Sequence, residues 1–254
     1  MRYRFATERQ DYSDYASGRV FYALPGHPAF PVRLASEIFQ RCMAIRKANG
    51  ATDPCVLYDP CCGGAYHLST LAFLHWHAID EVVGSDVDER ALSLAERNLA
   101  LLTVSGIEER ITGISQMLAL YGKASHSAAL KSAQCLRQQL LELLASHQLG
   151  TRLFRADATD GQALLRQLSD RKADVVMADV PYGWHSTWQV LDAGQTLSAS
   201  PVWQMLEALR LVLSPHAVVA VASDKGQKLS HQGYQRIERF RVGKRQVALL
   251  KQVC

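Results

Sequence analysis

Four carboxylates in this chain each close a short apolar run, and each is a residue type that could grip part of a ligand. They are Asp59 in Leu57-Tyr-Asp-Pro-Cys-Cys-Gly-Gly-Ala65, Asp86 in Val83-Gly-Ser-Asp-Val-Asp88, Asp157 in Arg155-Ala-Asp-Ala158, and Asp179 in Val175-Val-Met-Ala-Asp-Val-Pro-Tyr-Gly183. An acid just ahead of small residues, as at Asp59 with Gly63 and Gly64, suits a ligand that carries a positive amino group and must come close to the backbone. A carboxylate closing a strand, as at Asp86, can accept from both hydroxyls of a ribose. Asp88 has the competing duty of capping the next helix. Asp157 can accept from an exocyclic amine such as that of adenine. In the fourth segment Pro181 frees the Val180 carbonyl from ladder duty. Asp179 and that carbonyl can then both accept from a planar base, while Tyr182 offers a stacking face. No glycine triplet has the G-x-G-x-x-G spacing, which disfavours pyrophosphate binding.

Such acids need strands to place them. Apolar runs predict strands at 55–58, 81–85, 151–155, 173–178, 217–222, 235–242 and 245–251. A helix is expected over 66–77, and another over 89–102 capped by Asp88. Short run, helix, short run is the signature of βαβ units, so the expected class is α/β with a mostly parallel seven-stranded sheet. Gly243-Lys244 joins the last two runs as a tight hairpin, which makes the last strand antiparallel. Residues 106–149 interrupt the alternation and read as a helical hairpin inserted after the second strand. Residues 1–32 read as an irregular, partly ordered arm leading into a helix at 33–48. The expected division is 1–50 as arm and helix and 51–254 as the main domain. The four acids then fall in order along the carboxyl edge, where open α/β sheets bind ligands.

The chain has 254 residues, 48% apolar and 20% charged, which provides a sizeable core and excludes general disorder. No apolar run reaches the length of a membrane span, and the first residues lack an apolar leader, so a cytoplasmic protein without membrane contact is expected. Cys42, Cys55, Cys61, Cys62, Cys135 and Cys254 show no C-x-x-C and no repeated ligand spacing; reduced thiols and no metal site are expected. Residues 1–50 carry 8 Lys/Arg against 4 Asp/Glu, 225–254 carry 8 against 1, and the stretch between carries 12 against 19. Two basic ends around an acidic centre suit a polyanion held beside a separate pocket, although ordinary solvated faces are the commoner origin of such segments.

With the acids in this order the chain resembles the class I S-adenosylmethionine-dependent methyltransferases. Asp59-Pro-Cys-Cys-Gly63, Asp86, Asp157 and Asp179-Val-Pro-Tyr182 look like their first four motifs, in forms similar to enzymes that methylate nitrogen on RNA and DNA bases. Residues 12–20, residues 25–35 and the inserted helical pair extend the likeness over most of the chain, to the AviRa-type rRNA guanine methyltransferases tied to avilamycin resistance.

The resemblance implies a Rossmann-like fold and S-adenosyl-L-methionine as cofactor. Asp59 would lie near its methionine amine, Gly63 and Gly64 under the methionine portion, Asp86 on the ribose and Asp157 at the adenine. Asp179 and Tyr182 would hold and polarise the target base, with Val180 and Pro181 shaping its seat and Trp184 or Trp188 covering it. The implied substrate is a guanine nitrogen of 23S rRNA, free or in the large-subunit particle, methylated by a monomer. Resistance to an orthosomycin such as avilamycin is the consequence the likeness suggests, though it does not follow from the residues. Ala65 replaces a family glycine, so its methyl is expected to crowd the cofactor; Val180 replaces a proline common in amino-methyltransferases. Lys244 and Arg245, or Arg2 and Arg4, are expected to touch phosphates away from the pocket. Two rivals remain. An N6-adenine DNA methyltransferase would share Asp-x-Pro-Tyr but should bring a sequence-reading domain, and a non-catalytic RNA-binding protein could use a degenerate form of the fold.

Overall fold

A computed structural model describes residues 2–23, 29–180 and 200–253. All seven expected strands are present: β1 Cys55–Asp59, β2 Ile79–Asp86, β3 Gly150–Arg155, β4 Ala173–Asp179, β5 Leu213–Asp224, β6 Tyr234–Val242 and β7 Arg245–Gln252. They form one sheet in the order β3-β2-β1-β4-β5-β7-β6. The first five pair in parallel, and β7 runs antiparallel to both of its neighbours. Gly243, at φ +56°, makes the tight β6–β7 turn that an L side chain would strain.

Period-two alternation divides the strand residues between two cores, as a sheet covered on both faces requires. Leu57, Val82, Val175, Met177, Val218, Ala220, Val247 and Leu249 face one core. Val56, Tyr58, Val83, Val176, Ala178, Val219, Val221 and Leu250 face the other. The first core lies under α1 Val32–Ala48, α2 Tyr66–His75, α3 Glu89–Ala100, α4 Val104–Tyr121 and α5 Ala124–Leu144. The second lies under α6 Gly161–Leu168 and α7 Pro201–Leu209. These last two helices, of eight and nine residues, are too short to print a clear period in the sequence.

Asp88 caps α3 as expected, accepting from the Arg90 N–H at 2.9 Å. The insertion is a helical hairpin, α4 and α5, starting slightly before the expected boundary. A Cβ at Gly106 would stand 2.1 Å from the Ala100 carbonyl oxygen, so only glycine lets α4 begin so close to the end of α3. The N-terminal arm is more ordered than its composition suggests. The fully buried Glu37 of α1 gathers the N–H groups of Arg4, Phe5 and Ala6 at 2.7, 2.9 and 2.8 Å. Burial opposes its charge, but these donors and Arg41 hold the carboxyl below its usual range. Farther along, Tyr15 and Phe21 enter the first core, and the Tyr22 ring lies between the guanidinium groups of Arg97 and Arg110 at 3.8 and 4.2 Å.

Candidate active site

Strand order reverses between β1 and β4, and a sheet of this kind opens a crevice there beyond the carboxyl ends of its strands. Asp59, Asp86, Asp157 and Asp179 all stand on that edge. Their convergence shows at Cys61: burial first, then the fields of all four carboxylates, push its thiol well above the ordinary range.

Three of the four acids accept a bond from their own loops in the same way, although Asp59 Oδ2, like Asp179 Oδ1, has no hydrogen-bond partner among the described residues. Asp59 Oδ1 accepts the N–H of Cys61 at 2.9 Å, Asp86 Oδ1 that of Asp88 at 3.0 Å, and Asp157 Oδ1 that of Thr159 at 2.8 Å. Each is the i to i+2 bond by which Asx side chains stabilise turns. Asp86 Oδ2 also accepts from the Gly63 N–H at 2.8 Å and so ties the glycine loop to β2. Burial still raises the Asp86 carboxyl despite those two bonds, and further hydroxyl donors would offset that.

The glycine loop is fixed from several sides. The Cys62 N–H donates to the Ser85 carbonyl at 2.9 Å, and Asn98 Nδ2 donates to the Gly64 carbonyl at 2.7 Å and to that of Tyr22 at 3.1 Å. The missing side chain at Gly64 has a packing reason, because a Cβ there would meet Leu94 Cδ2 at 2.9 Å. Gly63 and Ala65 both adopt φ +52°. Ala65 is wholly buried in the first core, so its methyl does not face the open edge and the expected crowding has no geometric basis. Its left-handed backbone is the actual peculiarity.

The fourth acid differs. Residue i+2 from Asp179 is Pro181, which has no N–H to give. Among the described residues Asp179 Oδ1 is buried without a hydrogen-bond partner. Its nearest cation is Arg245, with Nε 3.9 Å away. Burial raises the carboxyl to about 6, offset by Arg245 and His67 and reinforced by Asp59.

His67, in the first turn of α2, is buried with its Nε2 3.0 Å from Asp59 Oδ2 and its ring 5.8 Å from that of Phe30. His67, Phe30, Met177, Ala178 and Asp179 line a small apolar cavity behind the edge. The sequence reading missed His67, whose only signal is its place one turn beyond the glycine loop. It also expected Arg245 to lie away from the pocket, whereas the structure places it beside Asp179. The Arg245 guanidinium covers the Phe30 ring at 5.3 Å and faces Asp179. Val180 is buried, its N–H donating to the Ala222 carbonyl at 3.0 Å. Pro181, Tyr182, Trp184 and Trp188 lie outside the described residues.

The rRNA methyltransferase AviRa family matches residues 1–245. The chain belongs to that family. It is 39% identical over 249 residues to the 23S rRNA (guanine(2535)-N(1))-methyltransferase of Streptomyces viridochromogenes, covering 98% of this chain and 95% of the relative. Two solved structures of rRNA methyltransferase AviRa from that organism superpose with a TM-score of 0.85 each, at 38% and 36% identity, covering 98% of this chain and 96% of theirs. As an AviRa-family member the chain has the class I methyltransferase fold. Among the described residues no helix is long and apolar enough to cross a membrane.

Proposed function

We propose that this AviRa-family chain transfers a methyl group from S-adenosyl-L-methionine to N1 of a guanine in 23S rRNA, in the cytoplasm, on free rRNA or the large-subunit particle. The observation that carries the reading is Asp179, the one strand-end acid whose loop supplies no i+2 N–H.

The residues at the edge fit the cofactor. A focus of four carboxylates suits a ligand that brings an ammonium and a sulfonium charge. Asp86 would hold the ribose hydroxyls with the lone pairs its two backbone bonds leave over, and Asp157 would meet the adenine side. Gly63 and Gly64 would lie under the methionine portion. Asp59, fully buried and engaged by Cys61 and His67, would act on the methionine amine chiefly through its charge. When bound, S-adenosyl-L-methionine supplies a methyl group already activated by its sulfonium.

Guanine N1 carries a proton that must leave as the N1–methyl bond forms and the sulfur–methyl bond breaks. The ionised Asp179 carboxylate accepts that proton, and the Val180 carbonyl beside it helps to orient the base edge. Catalysis then rests on in-line positioning and one proton acceptor. A guanine within paired RNA would have to be flipped out to reach this edge.

The test is transfer of tritiated methyl to 23S rRNA, followed by primer extension. A methyl on N1 blocks the pairing face, so a new stop at one guanine is the expected result. Incorporation without a stop would place the methyl on another atom, and no incorporation into rRNA would remove the substrate assignment.

A further inference from the structure

We propose that His67 is a positioning residue for methyl transfer: clamped by Asp59, it sets a fixed cation behind the Asp179 carboxylate and keeps that carboxylate ready for the guanine proton. The inference rests on the reading of Asp179 as proton acceptor and adds the group that prepares it.

A neutral imidazole has one N–H and one lone pair, whereas imidazolium has two N–H donors and no lone pair. Nε2 lies 3.0 Å from Asp59 Oδ2. A buried carboxylate at that distance favours the protonated ring. Burial works against that charge, but Asp59, Asp179 and the Met177 carbonyl outweigh it, and His67 titrates above its ordinary value.

The ring cannot swing away, because it is buried against Phe30 in the cavity it shares with Asp179. Among the described residues, the charges that reach Asp179 are Arg245 from β7, His67 from α2 and Asp59 from β1. From α1 the cavity receives only the apolar Ile38. Asp179 therefore sits among two cations and one anion. Without His67 the cations and anions would balance, and burial would hold the Asp179 proton to higher pH.

The experiment is the pH dependence of kcat for the wild type and His67→Gln, alongside Asp179→Asn. In the wild type the acid limb should lie near pH 6. In His67→Gln it should move up by on the order of one unit, with kcat on the plateau retained within a few-fold. A limb within 0.2 unit of the wild type, while Asp179→Asn is inactive, would reduce His67 to packing and overturn the inference. If Asp179→Asn methylates at the wild-type rate, the acceptor assignment itself fails, whatever His67 does. Should His67→Gln not fold, the imidazole 15N shifts of the wild type still decide. Two protonated nitrogens and a midpoint above 6.5 are expected, and a neutral ring at pH 6 overturns the proposal.

Discussion

The β1–β3 end of the edge and the β4 end carry the same residue type and treat it in opposite ways. Asp59, Asp86 and Asp157 each close a turn by accepting the N–H two residues on, so these acids are fixed by a few residues of local chain. Asp179 is refused that bond by Pro181. What surrounds it instead comes from far away in sequence: His67 from α2, Phe30 from the arm and Arg245 from β7. A site for a cofactor can be assembled from turns. If Asp179 is the proton acceptor, as proposed, then among the described residues its carboxylate is governed by burial and distant charges and not by a turn.

The sharpest way to break that contrast is Asp179→Asn, which keeps the shape and removes the proposed base. Methyl transfer should fall by roughly 10²–10⁴-fold while calorimetry shows unchanged cofactor affinity. The variant should also gain stability with a definite sign. A carboxyl raised from 3.8 to about 6 in the folded state disfavours folding once it ionises. That penalty is absent below pH 4, grows from 4 to 6 and is complete above. Asp179→Asn should therefore unfold at higher denaturant than wild type at pH 8, by about 2–3 kcal/mol, and equally with it at pH 4. A normal methylation rate would erase the distinction between the two halves of the edge.

On the other side of the comparison, Asp86→Ala should weaken S-adenosylmethionine binding by roughly 2–4 kcal/mol. It also frees the Gly63 and Asp88 N–H groups, so melting should be followed in parallel. Affinity equal to wild type in calorimetry would remove Asp86 from the site.

Ala65→Gly probes the turn itself. Ala65 holds φ +52° with its methyl in the core, a conformation that costs an L residue about 1–2 kcal/mol and glycine little. Relief of that strain should offset the lost methyl contacts and the entropy of glycine, for a net gain of about 0.5 kcal/mol. Cofactor affinity should not change. Tighter binding would mean that the methyl crowds the cofactor after all.

What the sequence disclosed follows the same division. The seven strands, the capping of α3 and the four acids were legible because each is written in adjacent residues. Even the exceptional state of Asp179 is implicit in Asp179-Val-Pro181. Arg245 was not legible, although the antiparallel last strand was expected, because its position follows from a chain of registers. Asp179 pairs with Ala222, Ala222 with Val247, and Asp224 with Arg245. The start of β7 is thereby carried to the carboxyl edge. The left-handed backbone at Ala65 left no trace either, since only glycine or asparagine would have announced it.

The smallest expected effect concerns the RNA and separates Arg245 from its basic neighbours. Once Arg245 belongs to the site, the phosphate-facing cations of the C-terminal segment are the exposed ones, such as Arg241 on the sheet's edge strand and Lys244 in the turn. On the arm, Arg4 is well exposed beside Glu238 at 3.5 Å. Each phosphate contact releases counterions and adds roughly −0.7 to −0.9 to the slope of log affinity against log salt. Neutralising Arg241 with Lys244, or Arg2 with Arg4, should flatten the slope by about one unit per lost contact, with kcat at saturating RNA and cofactor affinity unchanged. Arg245→Gln should instead shift the acid limb of kcat upward, because it removes a cation beside Asp179. If both double variants keep the wild-type slope, the RNA lies elsewhere. The α4–α5 hairpin is then the surface to test, since residues 111–141 carry Lys123, Lys131 and Arg137 without a single acid.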